Sequence, residues 1–193
     1  KDLYIEGIQN NGIINHYEYI INSEGTIEIR HVLKPEGKMP LWFPRIGLTL
    51  TVSDALDQVK WYGRGPQENY PDRKTGYPMG IYASTVQAMY EPYLMPQDYG
   101  LRTDVRWLQL TTDKGIGLQF KMNEWFNFNI YPYSTDNLTK AMYTYQLQKQ
   151  KGMTLNLDYA TTGVGCTARG VFGAYKAMPQ EYRRTISIRP MMK

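Results

Sequence analysis

Apolar and polar residues alternate with a period of two along most of the chain. The clearest run is 27–33, where every second residue is apolar or histidine and the charged residues Glu28 and Arg30 face the other way. Because successive side chains of a strand point to opposite faces of a sheet, this alternation predicts β-strands. The same spacing recurs at 11–22, 48–52, 57–63, 104–112, 116–122, 126–130, 153–159 and 185–189.

Turn-forming residues separate these runs. Gly, Asp, Ser or Pro occur at 23–25, 113–115, 151–152 and 179–180, between predicted strands. Regularly spaced strands with little helix are typical of an antiparallel β-sandwich. The sequence therefore predicts an all-β fold, and its 193 residues fit a single sandwich domain spanning 1–193.

One segment, 134–148, breaks the period of two. Ser134 stands where an N-cap is expected. Apolar and aromatic residues then recur at helical spacing, namely Leu138, Ala141, Met142 and Tyr145. This pattern predicts one short helix.

Composition supports a packed core and argues against several classes of protein. Hydrophobic residues make up 42% of the chain and charged residues 21%, which does not fit a disordered chain. The net charge of +4 is not gathered into a basic block, so nucleic acid is not an expected partner. No apolar run approaches the ~20 residues of a membrane span, so no membrane contact is expected. The single cysteine, Cys166, excludes an internal disulfide, and His16 and His31 fall within predicted strands, which favours structural roles.

Tyrosine is abundant, with 17 residues beside 4 tryptophans. Its ring is apolar and its hydroxyl is polar, so it suits sugar-binding surfaces and protein interfaces. An aromatic-rich β-protein with no such role has the same composition, and both interpretations remain open at this point.

The loop 61–73, with the sequence WYGRGPQENYPDR, carries more polar side chains than a reversal of chain direction needs. They are Gln67, Glu68, Asn69, Asp72 and Arg73. The acids could contact a sugar or a neighbouring domain together with Arg73. Alternatively, they could accept backbone N–H groups and hold the proline-rich turn rigid, which is the favoured interpretation.

A second polar pattern occurs at 102–107. Strand alternation places Arg102, Asp104 and Arg106 on one face, where they could hold a carboxylate partner or form a solvated ladder with its own ion pairs. Trp107 falls on the opposite face and is predicted to be in the core.

Four motifs occur in a recognisable order: LWFPRIGLTL (41–50), VKWYGRGPQENYPDRKTGYPMGIY (59–82), MYEPYLMPQDYGLRTDVRWLQL (89–110) and LDYATTGVGC (157–166). Together they resemble the C-terminal, small-chain domain of the family 2 β-galactosidases, which has a galactose-mutarotase-like sandwich. The resemblance covers nearly the whole chain.

The resemblance implies that the catalytic groups lie elsewhere. Retaining β-galactosidases use two glutamates ~5 Å apart, and in this family both lie in a (β/α)₈ barrel that this chain has no room for. We therefore expect no catalytic residue and no activity in this chain alone. The implied partner is the catalytic barrel, as a preceding domain or as a large subunit, with β-galactosides as substrates. The implied Mg²⁺ and Na⁺ of the parent enzyme lie mostly on the barrel side, so no metal or cofactor is expected here.

Some members of the family place a tryptophan that touches the sugar shortly after the Gly-x-Gly of the late motif. Here Gly163 and Gly165 are followed by no tryptophan, and Phe172 and Tyr175 are the aromatic candidates to replace it. An autonomous carbohydrate-binding module remains the alternative function. The residues expected to bind carbohydrate or to dock a domain are Gln67, Glu68, Asn69, Asp72, Arg73, Gln97, Asp98, Arg102 and Arg106.

Overall fold

A computed structural model describes residues 2–6, 11–166 and 168–192. Ten strands account for about half of these residues: β1 Asp2–Glu6, β2 Asn11–Ile21, β3 Ile27–Gly37, β4 Arg45–Val52, β5 Gln58–Arg64, β6 Met79–Thr85, β7 Arg102–Thr111, β8 Gly117–Tyr131, β9 Met153–Thr161 and β10 Tyr182–Met191. One α-helix, α1, spans Thr135–Lys140, and two single 3₁₀ turns lie at Thr144–Gln146 and Gly173–Tyr175. Within the described ranges, no helix has the length and apolar character needed to cross a membrane.

All strand pairs are antiparallel and belong to one hydrogen-bonded network. The main path runs β1-β2-β3-β10-β8-β7-β5-β6. The long strand β8 changes partner along one edge: residues 117–122 pair with β10 and residues 127–131 pair with β9. Since β9 in turn pairs with β4, the network branches at β8 into two arms.

The branch produces the sandwich, because the β4–β9 arm packs over the rest of the sheet. The main cluster joins Leu155 and Leu157 of β9 to Trp61 of β5, Leu108 of β7 and Phe128 of β8, all fully buried. A second cluster packs β4 and β9 against β3 and β10. The predicted all-β antiparallel sandwich is confirmed.

Strand β9 is buried on both faces. Its odd-numbered apolar residues face the core, whereas Thr154, Asn156 and Asp158 form a buried polar face. The segment before β7 and helix α1 cover that polar face through a small cluster of Tyr99, Tyr131 and Leu138. A polar layer thus lies inside the molecule, beneath the loops that carry the predicted site.

The predicted helix is shorter than 134–148. Ser134 is its N-cap, as expected, and the Ser134 side chain accepts a hydrogen bond from the Asn137 N–H. Beyond Lys140, the Gln146 carboxamide accepts the backbone N–H groups of Met142 and Tyr143. Side chains that bind nearby backbone compete with helix formation, and here they replace the second half of the predicted helix.

The prediction that Arg102, Asp104 and Arg106 share one strand face is wrong. Asp104 adopts a left-handed backbone conformation with φ 56°, and the register of β7 against β8 shifts on both sides of Val105. A bulge of this kind turns side chains out of alternation. Trp107 is also not in the core; it is half-buried on the outer face, with its ring centroid 6.4 Å from that of Tyr62.

His31 has the structural role that its position predicted. It is buried in β3, and its two ring nitrogens lie 2.7 Å from the Tyr159 hydroxyl and 3.0 Å from Asn15 Oδ1. Burial lowers the pKa of His31 to about 4. The imidazole is therefore neutral at physiological pH.

Candidate functional site

Glu68 is the buried centre of the polar loop. Its carboxylate is accessible over only 8% of the side chain, and it accepts hydrogen bonds from the Gly100 N–H at 2.9 Å and the Tyr70 hydroxyl at 3.2 Å. Arg73 Nη2 donates to it at 2.9 Å, and the Tyr93 hydroxyl donates as well. Glu68 therefore joins its own loop to the segment 93–100.

Asn69 connects the same loop to the start of β7. The residue is fully buried. Its N–H donates to the Leu101 carbonyl at 2.8 Å, and its side-chain oxygen accepts from the Thr103 N–H and hydroxyl at 3.1 and 2.5 Å. Its amide nitrogen donates to the carbonyl of Gln67, whose own side chain is exposed.

Asp72 connects the loop to the late glycine motif. Its two oxygens accept the N–H groups of Val164 and Gly165, at 3.1 and 2.7 Å. A Cβ at Gly163 would lie 2.3 Å from the Asp72 carboxyl carbon, so a larger residue there would displace the Asp72 carboxylate. The two acids of the loop do accept backbone N–H groups, as predicted, but these groups belong to other segments of the chain rather than to the turn itself.

Two predicted residues, Arg102 and Arg106, do not face the cleft described below. Arg102 is 3% exposed; it donates to the carbonyls of Pro66 and Gly100, both at 2.9 Å, and lies over the Trp61 ring. Burial lowers the pKa of Arg102 to about 10, so its side chain stays charged near neutral pH. The Arg106 guanidinium lies 3.3 Å from the ring centroid of Trp125.

An open cleft of about 710 Å³ lies where these loops meet. Its walls come from the start of β4, the loop 70–73, the segment 93–98 and the end of β9. Of the predicted residues, Arg73, Gln97 and Asp98 line this cleft. Glu68, Asn69 and Asp72 do not line it but hold the lining segments in place.

A charged network forms one wall of the cleft. Arg45 Nη2 lies 2.8 Å from Asp158 Oδ2, and Arg45 Nη1 lies 3.3 Å from Asp98 Oδ1. Asp98 also accepts from Asn129 Nδ2 at 2.9 Å and from the Tyr131 hydroxyl at 3.0 Å. Asp98 is half-exposed to the cleft, so this wall offers both a guanidinium and a carboxylate to whatever enters.

Asp158 is expected to make stability depend on pH. Burial raises the pKa of this carboxyl to about 6, although Arg45 opposes the shift. The usual value is about 4, so between about pH 4 and pH 6 the folded chain keeps a proton that the unfolded chain releases. The free energy of unfolding contributed by Asp158 therefore falls as the pH rises through that range.

The measurement is the melting temperature of the wild type and of Asp158→Asn at several pH values. We expect the stability of the wild type relative to the variant to fall from pH 4 to pH 6 and to level off above, since asparagine does not titrate. A difference between the two proteins that is the same at every pH would contradict this assignment.

Sequence reasoning missed Arg45 and Asp158, although both lie within quoted motifs. The available signal was a charged residue within an otherwise apolar strand, because such a residue needs a buried partner. What the sequence does not show is that β4 and β9 pair, with Arg45 opposite Thr161.

No metal site is formed by the residues that the structure describes. Among them, no group of three or more histidine, cysteine, aspartate or glutamate side chains is placed to hold an ion. Cys166 is exposed at the edge of the cleft. The chemistry offered by the described part of this site is hydrogen bonding and ion pairing.

Comparison with known proteins finds one family that matches almost the whole chain. Residues 5–188 match the sequence model of a protein family described as "Beta galactosidase small chain". Similar curated proteins include the "Beta-galactosidase" of Priestia megaterium, 38% identical over 76% of this chain and 14% of the relative, and that of Vibrio cholerae, 39% identical over 63% and 11%. The "Beta-galactosidase" of Pseudoalteromonas haloplanktis is 33% identical over 80% of this chain and 14% of the relative. The chain thus spans about one seventh or less of the length of these relatives.

Proposed function

The chain belongs to the β-galactosidase small-chain family, and from this premise we propose that it is a non-catalytic part of a β-galactosidase. The complete enzyme hydrolyses terminal β-D-galactosides at a centre outside this chain. The two glutamates of a retaining mechanism, and any Mg²⁺ or Na⁺ that assists them, belong to that catalytic part.

The ion pairs of the cleft support a non-catalytic role. A retaining glycosidase needs two carboxyl groups ~5 Å apart that flank the sugar, one of them free to act as nucleophile. In the cleft, Asp98 and Asp158 both pair with the same guanidinium, that of Arg45, and Asp158 is only 2% exposed. Glu68 is likewise held by four donors. Asp158 and Glu68 are too buried to attack a sugar, and the half-exposed Asp98 is held by Asn129 and Tyr131 as well as by Arg45.

The single observation that carries a docking role is the linkage of the cleft loops. Glu68, Asn69 and Asp72 bind the loop 66–73 to the segment 93–101, to Thr103 and to Gly165 through buried or half-buried hydrogen bonds. Loops that are already ordered lose little conformational entropy when a partner binds. The cleft surface is therefore suited to receive the catalytic part of the enzyme.

Exposed apolar side chains beside the cleft fit the same role. Val164 is 52% exposed and Phe172 is 65% exposed, and the Tyr175 carbonyl accepts the N–H of Gly163 at the same place. Apolar side chains grouped on a surface mark sites of protein interaction or ligand contact. Phe172 and Tyr175, which are 65% and 40% exposed, are therefore the aromatic candidates to meet the catalytic part.

The test has two parts. The purified chain is expected not to hydrolyse a chromogenic β-galactoside. In the complete enzyme, Asp72→Ala is expected to lower activity or subunit assembly, because the late glycine motif loses its two anchoring hydrogen bonds. The measurements are turnover and the elution volume of the assembled enzyme.

Tyr19→Ala is the matched control, since Tyr19 is an exposed residue of β2 and does not line the cleft. We expect this control variant to retain activity. Hydrolysis of the chromogenic β-galactoside by the chain alone would contradict the non-catalytic role. If Asp72→Ala changes neither the activity nor the assembly of the complete enzyme, the docking role is wrong.

A further inference from the structure

A second cavity, of about 580 Å³, lies away from the cleft and shares no lining residue with it. It is bounded by the turn after β4, the segment after β6 and the chain that enters β9. The cleft lies at the other end of the same two strands. Because β4 has eight residues with a rise of about 3.3 Å each, the two sites are about 25 Å apart.

Aromatic and apolar side chains form the inner surface of this cavity. Val86, Tyr99 and Met153 are buried at its base, and Tyr90 and Tyr133 are half-buried on its walls. The Tyr99 ring meets that of Tyr90 edge-on, with centroids 5.3 Å apart. These two tyrosine rings therefore pack against each other and form a continuous aromatic wall of the cavity.

Polar side chains without partners surround the opening. Among the described residues, the side chains of Asp54, Gln87 and Lys149 form no hydrogen bond or ion pair, and the buried Tyr99 hydroxyl has no partner. A second carboxylate, Asp57, lies on the same rim and accepts a hydrogen bond from the side chain of its neighbour Gln58. Donors and acceptors are thus available to a ligand at several points.

The charges on the rim favour a neutral ligand. Two carboxylates, Asp54 and Asp57, oppose binding of a phosphate or other anion. The ammonium group of Lys149 offsets part of this negative charge, so the rim presents both acceptors and a donor to the hydroxyl groups of a ligand. A neutral ligand with both hydroxyl groups and an apolar face would match the tyrosine walls and the polar rim together.

We propose that this cavity is a second, non-catalytic binding site for a neutral oligosaccharide. Its volume is within the range of ligand-binding cavities, which is ~300–1,000 Å³. The ring faces of Tyr90 and Tyr133 contact the apolar face of a sugar unit, and Asp54, Gln87 and Lys149 bind its hydroxyl groups. This inference goes beyond the proposed function and does not depend on it, because the cavity is separate from the cleft.

The experiment is hydrogen–deuterium exchange of the complete protein that contains this chain, with and without disaccharide. Maltose, cellobiose and melibiose are the probes, since none carries a terminal β-galactoside that the catalytic part would hydrolyse. We expect at least one probe to slow exchange at 86–90 and 149–153, with a dissociation constant of about 1–10 mM. Peptides from 70–73 and 161–166, which belong to the cleft, are expected to be unaffected.

Two variants test the assignment to this cavity. Tyr133→Ala removes a wall, and Gln87→Ala removes an exposed polar group at no cost to the core. Each variant is expected to weaken the protection by the disaccharide, and Tyr133→Ala is expected to lower the affinity by about tenfold. Tyr145→Ala changes an exposed tyrosine outside the cavity and is expected to leave the protection unchanged. Protection by tetramethylammonium instead of sugars would overturn the proposal in favour of a cation site. It is also overturned if no disaccharide protects these peptides, or if both cavity variants bind as the wild type does.

Discussion

Replacement of Glu68 by alanine is expected to lower the free energy of unfolding by about 3–5 kcal/mol. The variant removes the acceptor of four donors and leaves the Gly100 N–H, which is buried with it, without its partner. It also leaves a void between the polar loop and the segment 93–100. Since Arg73 is 49% exposed, water can solvate its guanidinium, so most of the loss comes from the buried donors and not from the ion pair itself.

Urea denaturation of the wild type and of Glu68→Ala measures this loss. Glu36→Ala is the matched control, because Glu36 is an exposed glutamate that pairs with Lys34 at 3.6 Å. An exposed pair contributes ~0–1 kcal/mol, so the control is expected to unfold at nearly the wild-type urea concentration. If Glu68→Ala and Glu36→Ala have the same midpoint, Glu68 does not hold the loops together.

A methyl group at Gly47 is expected to destabilise the chain by about 3 kcal/mol or more. The added Cβ would lie 2.3 Å from the Leu157 carbonyl oxygen and 2.6 Å from the Asp158 Cα, and both of these atoms belong to the backbone of β9. The backbone of a central strand cannot move aside as a flexible side chain can. We therefore expect Gly47→Ala to force β4 away from β9 and to lengthen the contact between Arg45 and Asp158.

Gly76→Ala is the control for this change, since a Cβ at Gly76 would have no neighbour within 4 Å. Alanine lowers the conformational entropy of the unfolded chain relative to glycine. We therefore expect this variant to be as stable as the wild type, or more stable by about 0.4–1 kcal/mol. Thermal unfolding of both variants gives the comparison. Equal melting temperatures for the two alanine variants would show that β4 does not lie against β9 as described.

Strands with a strict period of two could be predicted because their apolar residues must face one side. Residues 126–130 and 153–159 obey this rule, and they form the centre of the core. The rule fails at β7, where a left-handed residue, Asp104, interrupts the alternation. Asp104 pairs with Arg64 and Lys74, which lie 40 and 30 residues earlier, so its conformation depends on contacts that local pattern does not show.

The cleft could be predicted only in part, for a similar reason. The polar density of residues 67–73 marked the right loop. The partners of that loop, however, are a glycine N–H 32 residues away and two N–H groups more than 90 residues away. Spacing within a motif does not reveal which distant backbone groups its side chains will meet. Gln97 and Asp98 were also predicted as site residues, and both line the cleft. Arg45 could not be predicted, because its place in the cleft depends on the pairing of β4 with β9.

The branching of the sheet at β8 has a consequence for the order in which the molecule can assemble. Among the described strands, β10 alone connects β1, β2 and β3 to the rest of the network, since it lies between β3 and β8. Its pairing with β3 joins residues 182–188 to residues 27–33, and the pairing of β9 with β4 spans a shorter but still long stretch of chain. Closing such long loops must precede the contacts that reward them, which slows folding of β-rich domains. The three-stranded unit of β1, β2 and β3 can form early as a meander, but no strand pairs with the free edge of β3 until β10 has been synthesised and inserted beside β8.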